Sequence, residues 1–417
     1  MESASSSSSK IKRRKISDGA TSTKLPMDLI MQILKRVPAE NLINLCKSKP
    51  VASIIRNSHF KKLFLTHSSS RPGRLFISFR RSDGYNLLSS PLPTQNHHSG
   101  EEGEEGEEGE ALSVAATYLT QLPSGARPIK SSWIHGLICY VSSYRYGRST
   151  LKVYNSTTRR TTTLPDFAQL RSVFKHMLGY DPVDDVYKVL CMDLRNNPGT
   201  PPGVPNHFFE ILTLGDDRWR MTQDCPPYMP INSHICIEGV LYCYACVIGQ
   251  GIEKGAAIMS FDLRSERFGL IREPRDCPVE KNELSMAKYE GKPAIICNKF
   301  SDAANGDMVM WVLEDAVTHE WVKKVFVFPS LWKSVISRSR LSCSRFLISV
   351  TDAGEFILAL RALRTPPYYV VCYDPKRGSM RKVVIEGVTE HILLRSKLDY
   401  CHLFHLFSTQ VESLLFL

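Results

Sequence analysis

A chain of 417 residues, 43% of them hydrophobic, is too long for one small core and long enough for a small module plus a large domain. Its purely apolar runs are a few residues long, as at Leu414–Leu417, far below the ~20 that span a bilayer. The Ser-rich start lacks the apolar stretch of a secretory signal, so an intracellular protein with no membrane partner is expected. The formal net charge is +11 even though seven glutamates lie between Glu101 and Glu110, and such a surplus favours acidic partners without choosing among them.

Residues 1–23 are Ser-rich and charged and are expected to be disordered. Within them Lys10, Lys12, Arg13, Arg14 and Lys15 form a tight basic cluster, a candidate nuclear signal that places the protein in the nucleus, the cytoplasm or both. From residue 24 to 65 the apolar residues recur at helical spacing: Ile30, Ile33, Leu34, Val37, then Leu42, Leu45, Cys46, then Val51, Ile54, Ile55. Each stretch follows a proline (Pro26, Pro38, Pro50), which a first helical turn tolerates because the missing N–H would be unpaired there. The reading is three short helices with tight joints.

Residues 95–112 are a Gly-spaced acidic run that repels itself, read as a disordered loop. From about residue 130 short strands alternate with turns carrying Asp, Asn, Pro and Gly. A unit of apolar strand, turn and basic or aromatic strand recurs. Anchored on Tyr154, Leu212, Phe261, Leu313 and Tyr373, its copies lie 58, 49, 52 and 60 residues apart. A period near ~50 built of hairpins is the pattern of propeller blades. Five units are clear; segments 70–140 and 380–417 can supply one or two more, and strands from both ends of the chain can complete one blade. The apolar stretch Tyr400–Leu417 is expected to pack as a strand or helix.

No catalytic constellation emerges. There is no G-x-S-x-G elbow and no H-E-x-x-H helix. Cys243 and Cys246 form a C-x-x-C, but the surrounding Val240–Val247 reads as a buried strand and no second ligand pair is suitably spaced. The pairs Asp184–Asp185 and Asp216–Asp217 fall in expected hairpin turns. No metal and no cofactor is expected.

Residues 24–65 resemble the F-box. The opening Leu25-Pro26-x-Asp28-Leu29-x-x-x-Ile33-Leu34 carries the likeness, followed by Arg36-Val37-Pro38, Leu42, Cys46-x-Ser48-Lys49, Ile54-Ile55 and Phe60; the family's tryptophan is Val51 here. Residues 130–390 resemble the plant F-box-associated domain, through Gly136–Cys139, Val153-Tyr154-Asn155 with Thr158-Arg159, Leu164-Pro165, Leu178–Pro182, Asp185–Val189, Gly239–Tyr242, Trp311–Asp315 with His319–Trp321, and Tyr373–Pro375. The resemblance implies an α+β multidomain chain: a small three-helix F-box, then an all-β propeller-like domain over 70–417, kelch-like in its period. It also implies a non-catalytic substrate receptor of a Skp–cullin–F-box ubiquitin ligase. The Skp-type adaptor, and through it a cullin, would be held by a set drawn from Leu25, Pro26, Leu29, Ile33, Leu34, Val37, Pro38, Leu42, Leu45 and Val51, part of which must form the module's own core. The target protein is not named by the sequence. The alternative is a non-catalytic propeller that scaffolds proteins or binds nucleic acid, the latter not the expected partner.

Overall fold

The computed structural model describes residues 25–71, 73–81, 84–92, 112–123, 133–145, 148–167, 175–195, 206–223, 227–247, 256–277, 284–297, 307–329, 346–360, 362–363, 367–389, 402–409 and 412–415. Four helices come first: α1 (Met27–Leu34), α2 (Ala39–Leu45), α3 (Lys49–Arg56) and α4 (Ser58–Ser68). Pro26 and Pro38 occupy the N-caps of α1 and α2, and Pro50 lies in the first turn of α3. The three-helix expectation misses α4. That helix starts without a proline, one residue after α3, and is capped by the Asn57 side chain, which accepts from the His59 and Phe60 amides.

Six antiparallel blades follow. Blade one holds Trp133–Ile134, Leu137–Arg145, Arg148–Asn155 and Arg160–Thr163; blade two holds Lys175–Asp181, Val186–Arg195, Asn206–Thr213 and Arg220–Met221. Blade three runs Tyr228–Ile237, Val240–Val247, Ala256–Asp262 and Arg267–Arg272; blade four runs Leu284–Tyr289, Lys292–Cys297, Asp307–Asp315 and Glu320–Val327. Blade five comprises Phe346–Val350, Phe356–Leu360, Tyr369–Asp374 and Ser379–Glu386. Blade six is assembled from both ends of the chain: His402–Thr409 pairs with Arg74–Arg81, followed by Gly84–Pro91 and Thr117–Pro123. Two short strands lie outside this plan. Leu112–Ala115 adds in parallel to the outer edge of blade five, and Ala362–Leu363 pairs with the start of His402–Thr409.

The first strands of successive blades touch in a closed ring that ends where His402–Thr409 meets Trp133–Ile134. At that closure Trp133 lies between Phe407, 4.8 Å away and stacked, and Phe76, 4.7 Å away. The inner strands of a blade are covered on both faces, as in Lys175–Asp181, where even Lys175, His176 and Asp181 are buried, while an outer strand such as Glu320–Val327 is largely exposed. Among the described residues one core cluster fills each of the six blade interfaces, and a seventh lies inside the helices.

The five residues that anchor the period all fall on the third strand of their blades, and all are buried. The turn after that strand is built the same way in four blades. A side-chain oxygen at the strand's end accepts the amides two and three residues on, and the residue four on has positive φ. The pairs are Asn155 with Arg159, Asp262 with Glu266, Asp315 with His319 and Asp374 with Gly378. Asp181 and Asp185 repeat the device between the first two strands of blade two.

Candidate docking surface

In α1 the side chains divide cleanly between two environments. Leu34 is buried, with Ile30 and Met31 partly covered, and they pack with Leu42, Ile54, Ile55, Phe60 and Phe64. On the other side Leu29 and Ile33, with Leu25 just before the helix, are each more than half exposed. Met27 is as exposed at the helix start, although it stands at the helical spacing of Ile30, Met31 and Leu34, and Leu45 at the end of α2 is 41% exposed. Leu29 and Ile33 are one helical turn apart and share a face. Surface leucines are common singly; five large exposed apolar side chains on so small a module make a candidate docking surface.

The ten candidate residues therefore do not act together. Leu25, Leu29, Ile33 and Leu45, with the exposed Pro26 and Pro38, present an outer surface. Leu34 and Leu42 are buried in the module's own core. Val37 and Val51 are half-buried against the same core, so valine at the tryptophan position bears on the module's packing as well as on its surface. Met27, at a variable position of the opening motif, is also exposed, at the start of the helix and on the stripe of Ile30, Met31 and Leu34.

The helices are fixed to the propeller by the chain's last described residues, 412–415. Leu414 is buried in the helical core, while Leu415 packs on the cluster between blades one and two. The Ser68 hydroxyl meets both the amide and the carbonyl of Glu412. Arg71 donates to the Glu412 carboxylate at 3.0 Å and to the carbonyls of Lys35 and Val37. On the propeller side Asn155 Nδ2 donates to the carbonyls of Ser413 (3.0 Å) and Leu415 (2.9 Å), and the Tyr187 hydroxyl donates to Ser413 Oγ at 3.4 Å. Arg159, four residues beyond Asn155, reaches Glu40 of α2 at 3.4 Å. The module thus sits on the propeller face that carries the tight turns. The expected packing of the C-terminal stretch is met by the strand His402–Thr409 and this strap. Its role in joining the two parts carries no motif.

Other sequence candidates resolve into structure. Cys243 and Cys246 are buried in one strand; three residues apart, they point to opposite faces of it. Among the described residues no three His, Cys, Asp or Glu side chains are grouped to hold a metal, and no helix is long and apolar enough to cross a membrane. Asp185 closes the Asp181 turn and accepts from the Tyr180 hydroxyl, while Asp216 and Asp217 lie just beyond the strand Asn206–Thr213. The basic cluster Lys10–Lys15 lies outside the described residues, as does the acidic run except Leu112, which begins a strand.

Comparison with known proteins agrees with this architecture. The family model described as the F-box associated beta propeller domain matches residues 74–411. The chain is 38% identical to the Putative F-box protein At4g38870 of Arabidopsis thaliana, over 94% of this chain and 88% of that protein. It is 33% identical to the F-box protein At2g21930 of the same plant, over 97% and 98%. It is 31% identical to the F-box/kelch-repeat protein At3g04660, also of Arabidopsis thaliana, over 88% of each.

Proposed function

Because the chain belongs to the plant F-box proteins that carry an F-box-associated β-propeller domain, we propose that it is a substrate receptor of a Skp–cullin–F-box ubiquitin ligase. The observation that carries the reading is the exposed apolar row Leu25, Leu29 and Ile33 on helices strapped to a rigid propeller. Fully burying such a side chain contributes about 1.5–3 kcal/mol, and these are already partly covered, so docking the row contributes about 1 kcal/mol or more from each. The adaptor, and through it the cullin, is held there.

The propeller holds a target protein. This chain makes and breaks no bond; it raises the effective concentration of target lysines near the ubiquitin-charged enzyme. A fixed angle between docking helices and propeller serves that role, since effective concentration depends on geometry. Affinity capture of the full chain from plant cells with ubiquitin transfer blocked tests the reading. Enrichment of adaptor, cullin and one recurring third protein is expected; capture without adaptor and cullin contradicts it.

A further inference from the structure

The helical module is far more one-sided in charge than the propeller beneath it. Residues 25–68 hold seven Lys and Arg against Asp28 and Glu40. Asp28 sits in the first turn of α1, where it complements the helix dipole, and Glu40 faces Arg159 of the propeller. In the blades cations are repeatedly matched: Lys188 with Glu266, Lys288 with Asp352, Lys323 with Asp276, Arg381 with Glu355. In the module Lys47, Lys49, Arg56, Lys61 and Lys62 have no ion-pair partner among the described residues.

These cations are near one another. Lys49 and Arg56 are seven residues apart on α3, two turns along one face. Lys61 on α4 is held below the ordinary lysine range first by burial and then by the charge of Arg56, with Cys46 acting in the opposite direction. Arg56 and Lys61 lie five residues apart across the joint of α3 and α4. Lys47 and Lys49 follow the exposed Leu45 by two and four residues, so the basic group meets the outer apolar surface where α2 gives way to α3.

We propose that this border receives an acidic margin of the adaptor, so that the partner's docking face is apolar at its centre and negatively charged along one side. The proposal rests on the adaptor-docking reading. A nucleic acid fits the charge but leaves the adjoining leucines and isoleucine without a partner; a protein face of mixed character fits both. Border charges of this kind act mainly on encounter: they accelerate association and make it salt-dependent, while the apolar contacts set the lifetime.

The test is the association rate of the purified full chain with a purified plant Skp-type adaptor, followed by surface plasmon resonance. Raising salt from about 50 to about 500 mM is expected to slow association roughly tenfold or more, with little change in dissociation. The triple variant Lys47→Glu, Lys49→Glu, Arg56→Glu, all at exposed positions, is expected to associate roughly tenfold more slowly at low salt and to lose most of the salt dependence. A wild-type rate independent of salt overturns the acidic margin while adaptor docking stands, and this arm decides even if the variant fails to fold. A short RNA duplex that binds more tightly than the adaptor, and is lost in the variant, overturns the choice of partner. No complex with the adaptor overturns the docking reading and this surface together.

Discussion

Asn155 Nδ2 donates 3.0 Å to the Ser413 carbonyl, joining the third strand of blade one to the segment that carries the docking helices. The turn at Asn155 has the same form as those at Asp262, Asp315 and Asp374, where a carboxylate suffices. Only an amide both accepts from Thr157 and Thr158 and donates to Ser413 and Leu415, so the asparagine here answers the strap. Asn155→Asp keeps the turn acceptor and sets a carboxylate against two carbonyls in a fully buried site. It is expected to cost about 3 kcal/mol, measured by denaturant unfolding. An Asp262→Asn exchange at an exposed turn is expected to stay within about 0.5 kcal/mol.

The strap's two side-chain anchors differ in weight. Arg71 and Glu412 are both partly solvated, so removing the carboxylate by Glu412→Ala is expected to cost no more than about 1 kcal/mol. Leu414 is 2% exposed within the helical core, and Leu414→Ala is expected to cost about 2–4 kcal/mol. Chemical denaturation of the two variants orders them; equal losses contradict this division.

Stability is expected to fall as pH drops from about 6.5 toward 4. Burial lowers His135 to about 4, with the Lys288 charge adding to it, and burial likewise lowers His176 to about 4. His135 hydrogen-bonds the Tyr187 hydroxyl at 2.9 Å, and His176 Nε2 donates to the Cys139 carbonyl at 3.0 Å. Between the two values the unfolded chain binds protons that the folded chain refuses. The stabilisation is whole above about pH 6.5 and is lost by up to about 1.4 kcal/mol per pH unit for each histidine. His135→Asn keeps a residue that tolerates the positive φ and is expected to flatten the slope of melting temperature against pH.

Gly179 is an overpacking site. A Cβ there lies 2.6 Å from Leu263 Cδ1 and 3.1 Å from Leu241 Cδ2, at the interface of blades two and three. Gly179→Ala is expected to destabilise by about 1–3 kcal/mol, read as a lower unfolding midpoint with an unchanged denaturant slope.

The propeller was legible because each blade repeats the same local physics. The five anchors of the period recur on third strands, and most are followed by the Asn or Asp that closes the turn. The prolines before α1 and α2 marked those helices, whereas α4, capped by Asn57 alone, gave too weak a signal. The added strand Leu112–Ala115 is too short to show alternation, and it pairs with residues some 270 positions away. Among the candidate docking residues the division between core and surface was not legible: helical spacing names Leu34 and Ile33 alike, and only packing against α3 and α4 buries one and exposes the other. The strap was legible only as an apolar stretch that must pack; its joining of helices to propeller was not, because many of its bonds run through the backbone of Glu412, Ser413 and Leu415.

The central claim is that the outer face of α1 holds the adaptor. Titration calorimetry of the purified full chain against a purified Skp-type adaptor measures it directly, with the unchanged chain beside Leu29→Asp/Ile33→Asp. Both positions are exposed, so the variant is expected to keep the wild-type melting temperature within a few degrees and to lose binding by at least about a hundredfold. Equal affinity of the two proteins would contradict the account.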